Sequence, residues 1–528
     1  MASDGRNFLK GAFLLTVAGV IGKVLSAGYR IPLQNLTGDI GFYIYQQVYP
    51  LLGMALVVSL YGFPAAISKM TVDMKEQGKS LTGKHFYFPV FIILFLVMGI
   101  LSLSLFVFSE PIARWIGDEG LARAYRLVSV SFLLIPFTSL LRGVFQGQQN
   151  MQPTAYSQMG EQLIRVFVII GVAVYVGIQG ANHYRIGEGA AIASIAGASI
   201  AILILLLFFK KQQRVPTISR QTIPWGYYVR TLLTLGLAAS LNHMVLLLFQ
   251  FADTFTMIPA LQDYGLLKAE AMEAKGVLDR GQPLIQLGMV LGSSFALAMI
   301  PSISKNKLHN DSGQFYRSVQ SGVKVSFYLA VGATAGLIAI MPEANILLYE
   351  DMRGTEDLRI LVASILLSSA AVTCATILQG LGYRKRTAVF ILISVCIKWV
   401  GNEWFVPLMG IRGSALATVS GLAVLFLLVL VELRRKLPHL QLARHIHWRA
   451  LFFAVFGMIA YILVIDLFVP DNLSRLGALV YVGWVSVTGA SIYIFILLRG
   501  RALTTREVNM LPLSSLFMRM YKERESDE

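Results

Sequence analysis

Lys23 and Arg30 stand seven residues apart in "GKVLSAGYR", within an apolar stretch near the N-terminus. At 3.6 residues per turn, that spacing sets both cations on one helix face. A cationic face among apolar residues suits an anionic headgroup such as phosphate or pyrophosphate, which Arg grips through two parallel N–H donors. The competing role for Arg30 is to reach lipid headgroups at the end of its helix. Asp253 lies in "NHMVLLLFQFADTFTM" (242–257), an apolar run that also carries Asn242, His243 and Gln250. It offers either a counter-ion to one of these cations or a carboxylate that couples movement to protons or sodium. Arg280 and Gln282 in "DRGQPLIQLG" (279–288) would touch a substrate or cap a helix, and we favour the first. Glu161 and Arg165 are four apart, the spacing of a local ion pair. Lys398, with Glu403 five residues on, reads the same way. "YIYQQVYP" (43–50) supplies Tyr and Gln either for sugar and amide groups or for anchoring at a membrane interface.

The elements that carry these residues are membrane helices. Of 528 residues, 56% are hydrophobic and 14% charged, against about 25% charged in soluble proteins. Apolar runs near the roughly 20 residues that cross a bilayer recur along the chain. They predict about fourteen spans: 8–29, 41–66, 86–108, 122–146, 154–179, 188–210, 228–258, 281–303, 319–341, 358–381, 387–409, 412–433, 449–469 and 475–498. The N-terminal run lacks a small-residue cleavage site and carries Lys23, so it reads as a retained first span. The segment 261–281 is rich in Ala, Leu, Glu and Lys, and predicts either a short amphipathic helix on the outer surface or a solvated linker.

The net charge of +16 does not point to nucleic acid, because the cations are dispersed in short loops beside spans. Lys69, Lys75, Lys79 and Lys84 fall in one loop, Lys210, Lys211, Arg214 and Arg220 in another, followed by "YRKR" (383–386), "ELRRK" (432–436) and a basic tail. These loops alternate with acidic or mixed ones, so the basic side is cytoplasmic and both termini lie inside. Arg142 then sits at the cytoplasmic mouth, where it would meet an incoming headgroup. Cys374 and Cys396 fall inside spans and read as small buried side chains with no disulfide or metal role. Walker A, H-E-x-x-H and G-x-S-x-G motifs are absent, so no catalytic residues, metal ligands or cofactor are expected.

An internal repeat organises the spans. Gln146-Gly147, Thr154-Ala155 and Arg165 recur as Gln379-Gly380, Thr387-Ala388 and Lys398, each 233 residues on. "GAAIASIAG" (189–197) recurs as "GSALATVSG" (413–421), and "ISK" at 67–69 recurs at 303–305. The fold class is therefore an all-α polytopic membrane protein with two parallel six-helix lobes, 1–215 and 225–440. An added helix pair (449–499) and a cytoplasmic tail (500–528) follow. The small-residue segments would let helices pack closely within each lobe.

"GFYIYQQVYPLLGMALVVSLYGFPAAISK" (41–69), "RGVFQGQQNMQPTAYSQMGEQLIRV" (142–166), "DRGQPLIQLG" and "GSALAT" (413–418) resemble the polysaccharide-transport branch of the MOP flippase superfamily. Within it the likeness is greatest to SpoVB-type and MurJ-like flippases of Gram-positive bacteria, and it covers essentially the whole chain. The resemblance implies two lobes around a central cavity that move an undecaprenyl-pyrophosphate-linked sugar or peptidoglycan precursor across the cytoplasmic membrane. It implies that first-span cations, here Lys23 and Arg30, hold the pyrophosphate. The second span lacks the basic residue of MurJ-like cavities, a departure from the lipid II pattern. The expected partners are a lipid-linked anionic glycan, membrane lipid and cell-wall synthesis proteins, with the chain itself a monomer. Coupling would be to membrane potential, protons or sodium. Two other classes stay open: a cation-coupled multidrug exporter of the MATE kind, and a membrane scaffold of wall synthesis that transports nothing.

Overall fold

The computed structural model describes residues 2–79, 81–211, 223–299, 312–438, 440, 442–470 and 473–508, and every regular element among them is helical. In chain order the first fourteen helices are α1 (Ala2–Gly28), α2 (Arg30–Val57), α3 (Phe63–Glu76), α4 (Phe88–Val107), α5 (Ser109–Ile116), α6 (Ala122–Phe132), α7 (Ile135–Gly147), α8 (Gln152–Gln179), α9 (Tyr184–Lys211), α10 (Trp225–Thr231), α11 (Leu237–His243), α12 (Val245–Asp263), α13 (Lys268–Asp279) and α14 (Gly281–Met299). They are followed by α15 (Ser312–Ala339), α16 (Met341–Tyr349), α17 (Thr355–Val362), α18 (Ser364–Gly380), α19 (Arg384–Met409), α20 (Ile411–Lys436), α21 (Trp448–Asp466), α22 (Arg475–Arg499) and α23 (Thr505–Val508).

The helices gather into two compact units, one of Met1–Pro283 with Arg384–Ala417, the other of Leu284–Tyr383 with Thr418–Glu528. In the first unit α8 packs along α9, α3 against α7, and α2 against α9, α12 and α13. The α8–α9 contact rests on the small-residue segment, where Gly189, Ala190, Ala191, Ala193, Ser194 and Gly197 are all buried. Side chains this small let two backbones approach closely, which is how helices associate where lipid removes the hydrophobic drive. The helix α19 joins this unit by packing on α12.

In the second unit α15 packs against α18 and α21, and α21 lies along α22. Its core sets Tyr328, Met458, Ile462, Val485 and Tyr493 together. Two polar links bind the last helices to α15. Tyr493 donates to the Tyr328 carbonyl at 2.8 Å, and Lys324 Nζ meets Glu507 Oε2 at 2.7 Å with both side chains buried.

Twelve helical stretches among the described residues are long and apolar enough to cross a bilayer. The second expected span and residues 17–29 of the first fall in one of these, Val17–Glu76, and the expected span 281–303 runs past the described residues. Helix α4 shows which solvent surrounds the chain: Phe88, Ile100 and Leu103 are 62%, 67% and 64% exposed. A face so apolar is stable only against lipid tails. The chain is a multi-pass membrane protein.

Three expectations are corrected here. Cys374 is buried but Cys396 is exposed, so it faces outward from its helix rather than filling a core gap. The 261–281 segment does form a helix, α13, but neither rides the surface nor floats in solvent. It is docked, with Ala271, Met272, Lys275, Gly276, Val277, Leu278 and Asp279 buried. The tyrosines of "YIYQQVYP" do not anchor at an interface either, because Tyr43, Tyr45, Gln46 and Gln47 are at most 3% exposed. The second "ISK" (303–305), Arg214, Arg220 and the tail beyond 508 lie outside the described residues.

Candidate functional site: buried charges on a hinged helix

The guanidinium of Arg30, the first residue of α2, lies 3.9 Å from the centre of the Tyr49 ring on the same helix. Nineteen residues of straight α-helix would hold them about 28 Å apart, so α2 must fold back on itself. The bend is at Gly38, whose φ of 68° and ψ of −176° interrupt the helix. That backbone region is open to glycine alone. Doubling back also brings the hydroxyls of Tyr29 and Tyr45 into hydrogen-bond contact. Gly38→Ala is therefore expected to cost about 1–3 kcal/mol and to open the Arg30–Tyr49 contact. Thermal unfolding in detergent, with Tyr49 reactivity as a local probe, checks both; an unchanged midpoint would refute the hinge.

Arg30 is fully buried, and none of its three guanidinium nitrogens has a hydrogen-bond partner among the described residues. Its surroundings are aromatic: the Tyr49 face, with Tyr45 close by and the Tyr29 hydroxyl as its nearest polar contact. Gln46, in the same segment, is also buried with its amide nitrogen and oxygen unbonded. Burying a charge without hydrogen bonds is costly, and structures that keep one need a reason.

The residue after the hinge is clamped. Asp39 takes Arg280 in a bidentate pair, Nε to Oδ1 at 2.8 Å and Nη2 to Oδ2 at 2.6 Å, and Gln34 adds a third bond at 2.9 Å. Gly276 permits this approach, since a Cβ there would strike the Asp39 carbonyl. Lys275 and Asp279 form a second buried pair on α13 at 2.7 Å, with Lys275 above the Tyr43 ring. Asp118, fully buried, accepts from Tyr43 and Tyr184 and pairs with Lys268. Arg280 thus holds α13 to the hinge, and Gln282 accepts from Gln250 at 3.0 Å.

Arg142 sits in the core of the first unit, fully buried. Its Nη2 meets Glu161 at 2.8 Å and its Nε reaches Ser157 at 3.1 Å. Arg165 takes the other Glu161 oxygen at 2.9 Å, so the expected local pair is a triad in which one carboxylate serves two arginines. Asp253 pairs with Lys398 at 2.7 Å, and Asn402 and Ser414 complete the cluster. Glu403 is not the partner of Lys398; it accepts the Trp399 indole N–H. Lys23 is half-buried on α1, and Arg30 belongs to the next helix rather than to the same one.

Asp39, Asn402 and Ser414 were not given a site role by the sequence, whereas Tyr49 belongs to the "YIYQQVYP" stretch. Asn402 had a signal, four residues from Lys398 and so on the same face. Asp39 had a fainter one, an acid beside a glycine between two apolar runs.

Residues 8–307 match the family model described as polysaccharide biosynthesis protein. The chain belongs to this family. Membrane protein YabM of Bacillus subtilis (strain 168) is 37% identical over 98% of this chain and 97% of its own length. Lipid II flippase MurJ and stage V sporulation protein B of the same organism are each 24% identical, covering 93% and 96% of this chain and 94% and 98% of their own. A solved structure of lipid II flippase MurJ in an inward closed conformation matches with a TM-score of 0.64 and 15% identity, over 93% of this chain and 97% of that one. The resemblance to MurJ-like and SpoVB-type family members therefore holds for sequence and, for MurJ, for fold.

Proposed function

We propose that the protein is a flippase that carries a lipid-linked anionic cell-envelope precursor of the polyprenyl-pyrophosphate class across the cytoplasmic membrane by alternating access. The observation that carries this reading is Arg30, fully buried and, among the described residues, with no well-formed hydrogen bond to any guanidinium nitrogen. Five N–H donors in a planar fork match a phosphate group. A membrane protein tolerates such a group when an anion satisfies it in another state of its cycle. The unbonded amide of Gln46, three residues before Tyr49 on the same helix, suits the sugar or amide portion of such a precursor. Membership of a polysaccharide biosynthesis family and the 24% identity to a lipid II flippase support the same substrate class.

In this reading Lys23 serves as an additional cation for the substrate, and Arg280, through Asp39, sets whether the hinge is closed. The two six-helix repeats, 1–215 and 225–440, are the elements that alternate, 449–499 is an added helix pair, and both termini lie inside. The chain works as a transporter and performs no chemistry on its cargo. Proteoliposomes containing the protein should translocate fluorescent polyprenyl-pyrophosphate sugars. A depleted strain should accumulate the lipid-linked intermediate in its inner leaflet. Failure with every such lipid, together with drug sensitivity and a normal envelope in a deletion strain, would favour the exporter reading instead.

A further inference from the structure

The surroundings of Lys398 are more than an ion pair. Four oxygens converge on its Nζ: Asp253 Oδ1 at 2.7 Å, Ser414 Oγ at 2.8 Å, Asn402 Oδ1 at 2.9 Å and the Ser414 carbonyl at 3.0 Å. An ammonium has three N–H donors, so four acceptors at these distances form a shell around a charge rather than one bond per donor. The oxygens are also tied to one another. Asn402 Nδ2 donates to Asp253 Oδ1 and Thr256 Oγ1, each at 2.7 Å, and Ser414 Oγ donates to Asp253 Oδ1 at 3.1 Å. These bonds gather α12, α19 and the start of α20 without help from the lysine. Asp253 brings the single negative charge, and the other ligating oxygens are neutral. Such a shell is matched to one positive charge.

The sequence allows Asp253 to couple movement to sodium or protons, and the structure tests whether the residues fit that role. They do not fit a free cation beside the lysine, because Nζ already holds the converging oxygens and a second like charge there would be repelled. We propose that this is a monovalent-cation cage whose occupant is the chain's own lysine ammonium. The cage is permanently filled, it fastens three helices, and no free cation is taken up or released at Asp253. Any cation dependence of transport arises elsewhere in the chain.

The experiment compares thermal unfolding of the full-length detergent-solubilised protein in ammonium, potassium, sodium and choline chlorides at equal ionic strength. Wild type is expected to unfold at one midpoint in all four. Lys398→Ala should have a lowered midpoint in choline that rises with the logarithm of ammonium, or of one alkali cation, as a vacated site binds it. Lys398→Met combined with Asp253→Asn removes both charges and should respond to none of the salts. A Lys398→Ala protein equally stable in choline and in the other cations would overturn the proposal. So would a Lys398→Ala chain that folds in no salt while the neutral double variant folds. A wild-type midpoint raised by sodium over choline, with that rise abolished in the Lys398→Met, Asp253→Asn protein, would also overturn the permanent filling.

Discussion

Arg30→Met is expected to give a protein that unfolds at a higher temperature and no longer translocates its lipid. The two effects have one cause. In this structure the guanidinium is fully buried, and among the described residues none of its nitrogens meets an acceptor in good hydrogen-bond geometry. An unsatisfied buried polar group costs about 1–3 kcal/mol, more when charged. The Tyr49 ring returns part of this, up to ~2 kcal/mol for a desolvated cation over an aromatic face. Methionine fills a similar volume, keeps contact with the ring and carries no charge, so the fold should gain about 1 kcal/mol or more. Function moves the other way. If Arg30 grips a pyrophosphate during the cycle, removing it forfeits a buried charged pair worth about 2–5 kcal/mol. That is a loss of about 30-fold at the low end and above 1000-fold at the high end. Thermal unfolding and a flipping assay on the same preparation read both. Loss of stability with flipping intact would make Arg30 a structural residue and remove the main support for the flippase reading.

Much of this was legible in the sequence because membrane physics writes plainly. Spans follow from apolar length, and charges inside them are rare enough that each draws notice. Arg142, Glu161, Arg165, Asp253 and Lys398 were found that way, and Arg30 and Arg280 drew notice at the ends of spans. Their partners were not, except where both lay on one helix, as with Glu161 and Arg165. Pairing across helices depends on rotation about each axis, and a spacing rule along one helix says nothing of that. Hence Asp39 with Arg280, 241 residues apart, was invisible. The fold-back at Gly38 escaped for a different reason. One glycine between apolar runs looks like any other until its φ is known. The α13 helix was visible from propensity, whereas its docking depends on Gly276 and on charges that a surface helix would equally carry.

Glu161→Gln is expected to be the most destabilising single change in the first unit. The triad Arg142–Glu161–Arg165 carries a net positive charge even when intact, and Glu161 is the carboxylate that both arginines share. Glutamine keeps the size and one acceptor but leaves two cations facing each other. Removing one partner of a buried pair costs about 3–5 kcal/mol, and here the removed partner serves twice. Arg142 cannot turn to solvent, being fully buried between Ser59, Ser157 and Glu161. Arg165→Gln should be far milder, because its loss leaves a balanced Arg142–Glu161 pair. The ordering separates charge balance from packing. If packing decided stability, the fully buried Arg142 would be the critical position. If charge decides, Glu161→Gln should be worst, and adding Arg165→Gln should recover part of the loss through a coupling that a double-mutant cycle measures. Equal effects of Glu161→Gln and Arg165→Gln would refute the charge account. The repeat gives the same account a second setting. Lys398, the counterpart of Arg165, is the one cation paired with Asp253 among the described residues, so the two balance one to one. Removing both charges there should therefore be tolerated better than removing Glu161 alone.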